Sequence, residues 1–270
     1  MRILFIADVI GSPGRKVAKG LLRLLRAETR ADAVVINGEN SAGGFGITPE
    51  IVAELFELGA TVITTGNHVW DKREILPVLD REPRLLRPAN YPRGNAGRGD
   101  VVVEIGSRRL AVLNLQGRVF MPPIDDPFRA ADELIERVKA EADSIVVDFH
   151  AEATSEKQAM ARHLDGRVAA VVGTHTHVQT ADERVLPGGT AFITDLGLTG
   201  SLGGIIGMKT EISLPRQILQ TRGERMQPAD TELHLQGAMV EIEDSTGLAK
   251  SIERLSVPYA RALQGAFGKM

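Results

Sequence analysis

The chain has 270 residues, with 32 Lys and Arg against 35 Asp and Glu, which gives a formal net charge of −3. This balance, with 25% charged and 43% hydrophobic residues, excludes disordered, collagen-like and supercharged chains. The slight negative charge and the 4% aromatic content disfavour binding of long nucleic acid through a basic face. Because cysteine is absent, any metal site would need histidine, carboxylate or amide ligands.

The N-terminal apolar run does not resemble a targeting segment. Asp8 interrupts the run, which also lacks the length and the cleavage site of a signal peptide. No stretch of the sequence approaches the roughly 18 apolar residues that a membrane span requires. Together with the absence of cysteine, these features predict a cytoplasmic protein that does not associate with a membrane.

The first 80 residues alternate between short apolar strands and amphipathic helices. Strands are predicted at residues 2–7, 33–36 and 61–64. Ser12 and Pro13 are expected to begin the first helix, and Thr48 and Pro49 the second. Strands without polar alternation that are joined by helices indicate a parallel sheet covered on both faces.

The rest of the chain adds a hairpin, further strand–helix units and an antiparallel ending. The hairpin is predicted at residues 101–115, helices at 127–140 and 154–163, and strands at 144–149, 168–172 and 191–194. Residues 232–243 and 250–257 alternate in polarity and are expected to pair as antiparallel strands. The glycine-rich stretches 38–46 and 197–207 are predicted loops, the second either a mobile flap or an ordinary surface loop. We predict one α/β domain over residues 1–270, with two sheets.

Polar side chains follow five of the predicted strands, at the point where each strand ends. In chain order these residues are Asp8, Glu39, Asn40, Asn67, His68, His150, His175 and His177. Because the carboxyl ends of parallel strands meet at one edge of a sheet, four of the six histidines should converge there with two carboxylates and two asparagine amides. His163 and His234 fall on a helix and a strand and are expected to be structural.

Each of these residues also has a simpler interpretation when it is taken alone. Asp8 would cap the following helix, and Glu39 and Asn40 would be turn residues. His175 and His177 are the most specific pair, since alternate residues of an extended segment point the same way, although an isolated His-x-His is a weak signal. The whole set of strand ends, rather than any single member, predicts a metal site.

The order of these motifs resembles that of the calcineurin-like metallophosphoesterase superfamily, which is D, GD, GNH, H and GHxH. Here Asp8, G-N-H at 66–68, His150 and G-T-H-T-H at 173–177 match it. Two elements depart from the superfamily: the usual D-x-H opening is D-V-I at 8–10, and the GD element is G-E-N at 38–40. These variants, with T-G-N-H-V-W-D at 65–71 and T-D-L-G at 194–197, resemble the YmdB family of bacterial phosphodiesterases over nearly the whole chain.

The resemblance implies a two-sheet α/β sandwich with flanking helices, a binuclear metal site, and hydrolysis of phosphodiesters that include 2′,3′-cyclic nucleotides. It implies that Glu39 bridges two metal ions and that His68 faces the phosphate. The implied ligands of the first ion are Asp8, Asn40 and His177, and those of the second are Asn67, His150 and His175. Iron or manganese is the expected metal, and the mixed oxygen and imidazole ligands agree with this, although zinc also accepts them.

Such a site predicts a specific course for the reaction. Two divalent ions about 3.5–4 Å apart can hold a bridging hydroxide and orient it for in-line attack on phosphorus. No protein nucleophile is then needed, which agrees with the absence of cysteine and of a GxSxG motif. His68 is expected to act as the general acid that protonates the leaving alkoxide. With Asp8 and Glu39 as the only anionic ligands, the site stays net positive and suits a singly charged diester, although it would attract a monoester dianion too.

Two other functions fit the same residues. One is a phosphomonoesterase or nucleotidase on the same centre, and the other is a regulatory protein that binds nucleotide or RNA with little turnover. The full ligand set beside His68 argues against the second. The expected partner is a small phosphodiester or cyclic nucleotide, and the resemblance also implies a homo-oligomer. Arg118, Phe120 and Met121, in a loop after a strand, would either reach the substrate or a neighbouring subunit, or serve in packing.

Overall fold

The computed structural model of the protein describes residues 1–220 and 223–262. The strands are β1 (Arg2–Ile6), β2 (Asp8–Val9), β3 (Ala33–Asn37), β4 (Val62–Thr64), β5 (Asp100–Ile105), β6 (Arg108–Gln116), β7 (Ser144–His150), β8 (Ala170–Thr174), β9 (Arg184–Val185), β10 (Ala191–Ile193), β11 (Leu198–Ser201), β12 (Leu233–Ile242) and β13 (Ala249–Pro258). The helices are α1 (Gly11–Thr29), α2 (Pro49–Glu57), α3 (Leu76–Arg81), α4 (Pro127–Val138), α5 (Thr154–His163) and α6 (Thr210–Leu219), with a 3-10 turn at Arg73–Ile75. Within the described residues, no helix combines the length and the apolar character needed to cross a membrane.

The strands form two sheets, as predicted. One has the order β2-β11-β12-β1-β3-β4, with β13 also paired to β12, and the other has the order β5-β6-β7-β8-β10-β9. The predicted parallel pairing of β1, β3 and β4 is confirmed, but β12 lies antiparallel on the other side of β1, so the first sheet is mixed. The hairpin of β5 and β6 and the antiparallel pair of β12 and β13 are also confirmed.

Alternate residues along each strand pack on opposite faces of the sheet and so belong to different apolar layers. Phe5 of β1 and Val35 of β3 point between the sheets and join Val112 of β6 and Val172 of β8 in one buried cluster. Full burial of one such side chain stabilises the fold by about 1.5–3 kcal/mol. The intervening residues of the first sheet, such as Leu4, pack instead under α1 and α2.

The outer face of the second sheet is covered in the same way. Leu113 of β6 and Val147 of β7 pack against Leu134 of α4 and Met160 of α5. The layers therefore follow the order helices, sheet, sheet, helices. This arrangement is the predicted two-sheet α/β sandwich with flanking helices.

The predicted start of the first helix is wrong by two residues. Helix α1 begins at Gly11, and the capping position is Ile10, which offers no side-chain cap, so Ser12 and Pro13 lie inside the first turn. The chain is held there by main-chain bonds, from Ile10 N to Thr199 O and from Gly11 N to Asn40 O. The second helix starts as predicted, because the Thr48 side chain accepts a hydrogen bond from Ile51 N.

The prediction of a loop over residues 197–207 is also wrong in its first half. Residues Leu198–Ser201 form β11, which is buried and pairs with β2 on one side and β12 on the other. Gly200 has a φ of 158°, a backbone conformation that L side chains rarely adopt and that glycine allows. The glycine content hid a strand whose conformation is set by pairing with its neighbours, and within the predicted loop only Gly197 and residues 202–207 lie outside regular strands and helices.

Candidate metal centre

The eight residues predicted from the strand ends converge at the carboxyl edge of the two sheets. Asp8 lies on β2, and His150 is the last residue of β7; the others follow β3, β4 and β8. Asp8, Glu39 and His150 have no exposed surface. Asp8 does not cap α1, which excludes its simpler interpretation. His163 and His234 lie elsewhere, and their ring nitrogens contact Asp132 and the Glu232 carbonyl.

One half of the cluster surrounds the Nε2 atom of His150. That atom lies 2.9 Å from Glu39 Oε1, 3.1 Å from Asn67 Oδ1 and 3.0 Å from His175 Nδ1. Ligand atoms of Glu39, His150 and His175 all lie within 4.8 Å of one another. Adjacent ligands about 2.1 Å from one ion are about 3 Å apart, so this spacing fits a metal ion.

The hydrogen bonds behind His150 decide which of its ring nitrogens carries the proton. Thr174 Oγ1 lies 2.9 Å from His150 Nδ1 and donates its own proton to Asp148 Oδ1 at 2.7 Å. His150 Nδ1 is therefore a donor, and Nε2 is the ring nitrogen that faces Glu39 and Asn67. Burial alone would lower the pKa of His150, but the charge and hydrogen bond of Glu39 raise it. Burial is the largest of the effects that lower the pKa of His175 to about 3, so the His175 ring is neutral. Because metal ligands must be deprotonated, a metal ion in this half would displace the proton between His150 Nε2 and Glu39.

The other half of the cluster contains Asp8, Asn40 and His177. Asn40 Nδ2 lies 3.3 Å from Asp8 Oδ1, 3.2 Å from His177 Nε2 and 3.1 Å from Glu39 Oε1. Burial alone would raise the pKa of Asp8, but interaction with His177, whose Nε2 lies 3.6 Å from Asp8 Oδ1, lowers it to about 2. Glu39 therefore contacts both halves, which is the position of a bridging carboxylate.

His175 and His177 face the two halves of the cluster, but the extended backbone predicted for them is wrong. They do not lie on an extended segment, because β8 ends at Thr174 and both histidines have left-handed backbone, with φ values of 103° and 62°. Such conformations cost about 1–3 kcal/mol each in non-glycine residues and are concentrated at functional sites. His175 turns toward His150, whereas His177 turns toward Asp8 and donates from Nδ1 to the Ile206 carbonyl.

His68 lies beside Glu39 and is partly open to solvent. Its backbone N–H donates to Glu39 Oε2 at 3.2 Å, and its ring Nδ1 lies 2.9 Å from Asp71 Oδ2. Residue 66 has to be glycine because the backbone passes so close to the cluster that a Cβ there would lie 2.2 Å from the His150 ring and 2.4 Å from Glu39 Oε2. The backbone of residues 66–68 thus passes directly over the cluster.

Sequence reasoning missed the buried ion pair of Lys157 and Asp195, which lies 2.6 Å apart behind the histidine segment. Asp195 Oδ2 also accepts from the backbone N and the hydroxyl of Thr176, the residue between the two histidines. Asp195 lies in the T-D-L-G motif at 194–197, whose only signal in the sequence is its resemblance to the family. The pair therefore holds the left-handed segment in place, and a lysine on a helix gave no signal of this role.

Lys157→Met is expected to destabilise the metal-free protein by about 3–5 kcal/mol, because it leaves the carboxylate of Asp195 buried without its counter-ion. Urea unfolding of the two proteins would measure the difference. The control is Arg129→Ala, which removes an exposed pair with Glu133 and should cost less than about 1 kcal/mol. Equal, small effects of the two substitutions would contradict the account of the ion pair.

Thr174→Val is expected to weaken metal binding by roughly 10- to 100-fold, because it removes the hydroxyl that fixes the ring of His150. Titration of metal-free protein with Mn²⁺ would measure the affinity. Thr190→Val is the matched control: Thr190 is equally buried, but its hydroxyl donates to main-chain carbonyls away from the cluster. A similar loss of affinity in both variants would indicate general destabilisation instead.

Comparison with known proteins agrees with this geometry. The family model described as YmdB-like protein matches residues 4–255. A 2′,3′-cyclic-nucleotide 2′-phosphodiesterase of Bacillus subtilis is 49% identical over 257 residues, which are 95% of this chain and 97% of the relative. The crystal structure of a phosphatase from Mycoplasma pneumoniae has a TM-score of 0.89 at 34% identity, over 98% of this chain and 96% of the other.

A more distant structure shares the fold alone. The calcineurin-like phosphoesterase YfkN of Bacillus subtilis has a TM-score of 0.59 at 13% identity, over 99% of this chain and 96% of that one. The resemblance predicted from the strand-end motifs is therefore confirmed at the level of both fold and family. The match across residues 4–255 and the 49% identical relative show that this chain belongs to the YmdB-like protein family.

Proposed function

We propose that this protein is a metal-dependent phosphodiesterase that hydrolyses small phosphodiesters such as 2′,3′-cyclic nucleotides. The observation that carries the proposal is the position of Glu39, whose fully buried carboxylate contacts both halves of a cluster of metal-ligand side chains. The name of the Bacillus subtilis relative supports both the phosphodiester bond and the cyclic nucleotide as the substrate.

The residues present fit two divalent ions, with iron or manganese the metals that suit their oxygen and imidazole donors, and zinc as the alternative. Asp8, Asn40 and His177 would hold one ion, Asn67, His150 and His175 the other, and Glu39 both. When bound, such a pair supplies a hydroxide at neutral pH and neutralises charge on the phosphate.

The chain's own residues then orient the groups and move the proton. His68 protonates the leaving oxygen through Nε2, while the bond from Nδ1 to Asp71 fixes the orientation of its ring. The bond from His177 Nδ1 to the Ile206 carbonyl directs its Nε2 toward Asp8. In the other half, the hydrogen bond from His150 Nδ1 to Thr174 directs His150 Nε2 toward Glu39 and Asn67. His150 and His177 are thus each oriented by a neighbour before any substrate arrives.

A phosphomonoesterase on the same centre is the second candidate, because the Mycoplasma pneumoniae structure is described as a phosphatase. A diester carries one negative charge and a monoester two, and the site has only two anionic ligand side chains. The charge therefore accommodates both, and the relative rates with the two substrate types decide between the candidates.

We also propose that residues 1–270 form one domain, because the apolar cluster between the sheets combines Ile3 and Phe5 with Val240 and Ile242 from the other end of the chain. A cytoplasmic location agrees with the absence of cysteine. The net charge of −3 disfavours long nucleic acid as a partner, and a homo-oligomer remains a prediction from the resemblance.

The test is hydrolysis by protein that has been stripped of metal and reloaded with Mn²⁺. We expect turnover of 2′,3′-cyclic AMP and of bis-p-nitrophenyl phosphate that depends on the added metal and exceeds turnover of p-nitrophenyl phosphate. A strong preference for the monoester would favour the phosphatase. Two bound metal ions with retained nucleotide and no product would favour a nucleotide-binding regulator.

A further inference from the structure

Gln116, the last residue of β6, has a buried amide nitrogen with no partner. Gln116 has no exposed surface, and within the described residues its Nε2 is one of two buried side-chain nitrogen or oxygen atoms without a hydrogen bond. An unpaired buried donor costs about 1–3 kcal/mol. Such a cost is expected where the group serves a ligand.

The other atoms of Gln116 are firmly held. Its Oε1 accepts a hydrogen bond from the Tyr91 hydroxyl at 3.1 Å, and the ring of Tyr91 packs edge-on against Trp70. Its backbone N–H donates to Asn90 Oδ1, and its carbonyl accepts from Asn90 Nδ2. Because the Tyr91 hydroxyl is bound to Oε1 of the Gln116 amide, the two N–H groups of Nε2 are the donors left without a partner among the described residues.

Strand geometry directs this free end toward the metal centre. Gln116 is the parallel partner of His150 in the ladder, so the two side chains leave the same face of neighbouring strands that are about 4.8 Å apart. Two residues earlier on that face, Asn114 Oδ1 accepts from Thr65 N. Gln116 therefore lies about 6.6 Å further along the strand than Asn114, beside His150.

The effect of Glu39 on the pKa of Tyr91 agrees with this placement. Burial raises the pKa of the Tyr91 hydroxyl, and the negative charge of Glu39 adds to that rise. Tyr91 and the Gln116 amide that it fixes therefore lie in the electrostatic field of the Glu39 carboxylate. Gln116 is as fully buried as Asp8 and Glu39.

We propose that Gln116 Nε2 donates a hydrogen bond to an oxygen atom held in the floor of the site during the phosphodiesterase reaction. That oxygen belongs either to the phosphate of the substrate or to solvent, since both offer the same lone pairs. Tyr91 is the positioning residue that keeps the amide nitrogen turned toward this oxygen. The inference rests on the proposed function, because it places the oxygen between residues assigned there.

The test uses Gln116→Met, which keeps the length of the side chain and removes the donor, and Gln116→Glu, which keeps its shape and presents oxygens only. Calorimetric titration with orthophosphate would be carried out on Mn²⁺-loaded wild-type protein and both variants. If the oxygen is that of a phosphate, both variants should retain two ions per chain and bind orthophosphate roughly 10- to 100-fold more weakly. Gln116→Met also removes the oxygen that accepts from the Tyr91 hydroxyl, so Gln116→Glu, which keeps that oxygen, is the variant that isolates the loss of the donor.

If the oxygen is that of solvent, orthophosphate affinity should stay within about twofold, and the ascending limb of the kcat/KM pH profile should shift instead. Unchanged phosphate affinity together with an unchanged pH profile in both variants would overturn the inference. Loss of metal ions in both would also overturn it, since Gln116 would then only maintain the ligand geometry. Failure of the wild-type protein to bind metal or orthophosphate would count against the proposed function itself.

Discussion

Glu39→Ala is expected to lose both metal ions and all measurable turnover. Glu39 Oε1 contacts His150 in one half of the centre and Asn40 in the other, at 2.9 and 3.1 Å. Substitution of a residue that merely orients a metal ligand typically costs 10- to 100-fold in metal affinity, so loss of the shared carboxylate should cost more than roughly 100-fold. Metal content after dialysis and Mn²⁺ titration would measure the effect.

The matched control is Glu156→Ala. Glu156 is also a buried carboxylate, but it accepts hydrogen bonds from the backbone of Arg118 and Val119. Its removal should loosen that loop while two ions per chain remain bound. Wild-type metal affinity in Glu39→Ala, or equal metal loss in both variants, would contradict the role of Glu39 as the shared ligand.

His68→Ala is expected to keep both ions and to lose roughly 10²- to 10⁴-fold in kcat for 2′,3′-cyclic AMP. Alanine retains the backbone N–H that bonds to Glu39 Oε2, so the ligand geometry should persist. What is lost is the ring that protonates the leaving alkoxide. Because p-nitrophenolate leaves readily without a proton, the loss with bis-p-nitrophenyl phosphate should be much smaller.

The two substrates therefore separate acid catalysis from a general defect. His163→Ala is the control, since that histidine lies on α5 and pairs with Asp132 away from the centre. It should leave metal content and both rates unchanged. An equal loss of rate with both substrates in His68→Ala, or a parallel loss of metal, would show that His68 does not act as the general acid.

The convergence of the candidate residues could be predicted from the sequence because these residues follow apolar strands. Parallel pairing of β3 with β4 and of β7 with β8 brings the strand ends together, and all eight predicted residues lie at that edge. The backbone conformation of the two histidines after β8 could not be predicted from the sequence. His175 and His177 have left-handed backbone, which depends on the bonds that Asp195 makes with Thr176 between them.

The residues that support the centre could not be predicted from the sequence, because their partners lie far away along the chain. Lys157 and Asp195 are 38 positions apart, and Gln116 and Tyr91 are 25 apart, so only the folded sheets bring each pair together. A lysine on a helix or a glutamine at a strand end carries no local sign of a buried partner. Strand β11 was missed because its glycine suggested a loop, whereas pairing with β2 and β12 decides its conformation.

The central claim is that two ions share Glu39, and the most direct test is a crystal structure of the Mn²⁺-loaded protein with anomalous scattering measured at the manganese edge. The account predicts two anomalous peaks about 3.5–4 Å apart, one on each side of the Glu39 carboxylate. One should lie beside Asp8 and His177, and the other beside His150 and His175. A single peak, or peaks that do not contact Glu39, would contradict it.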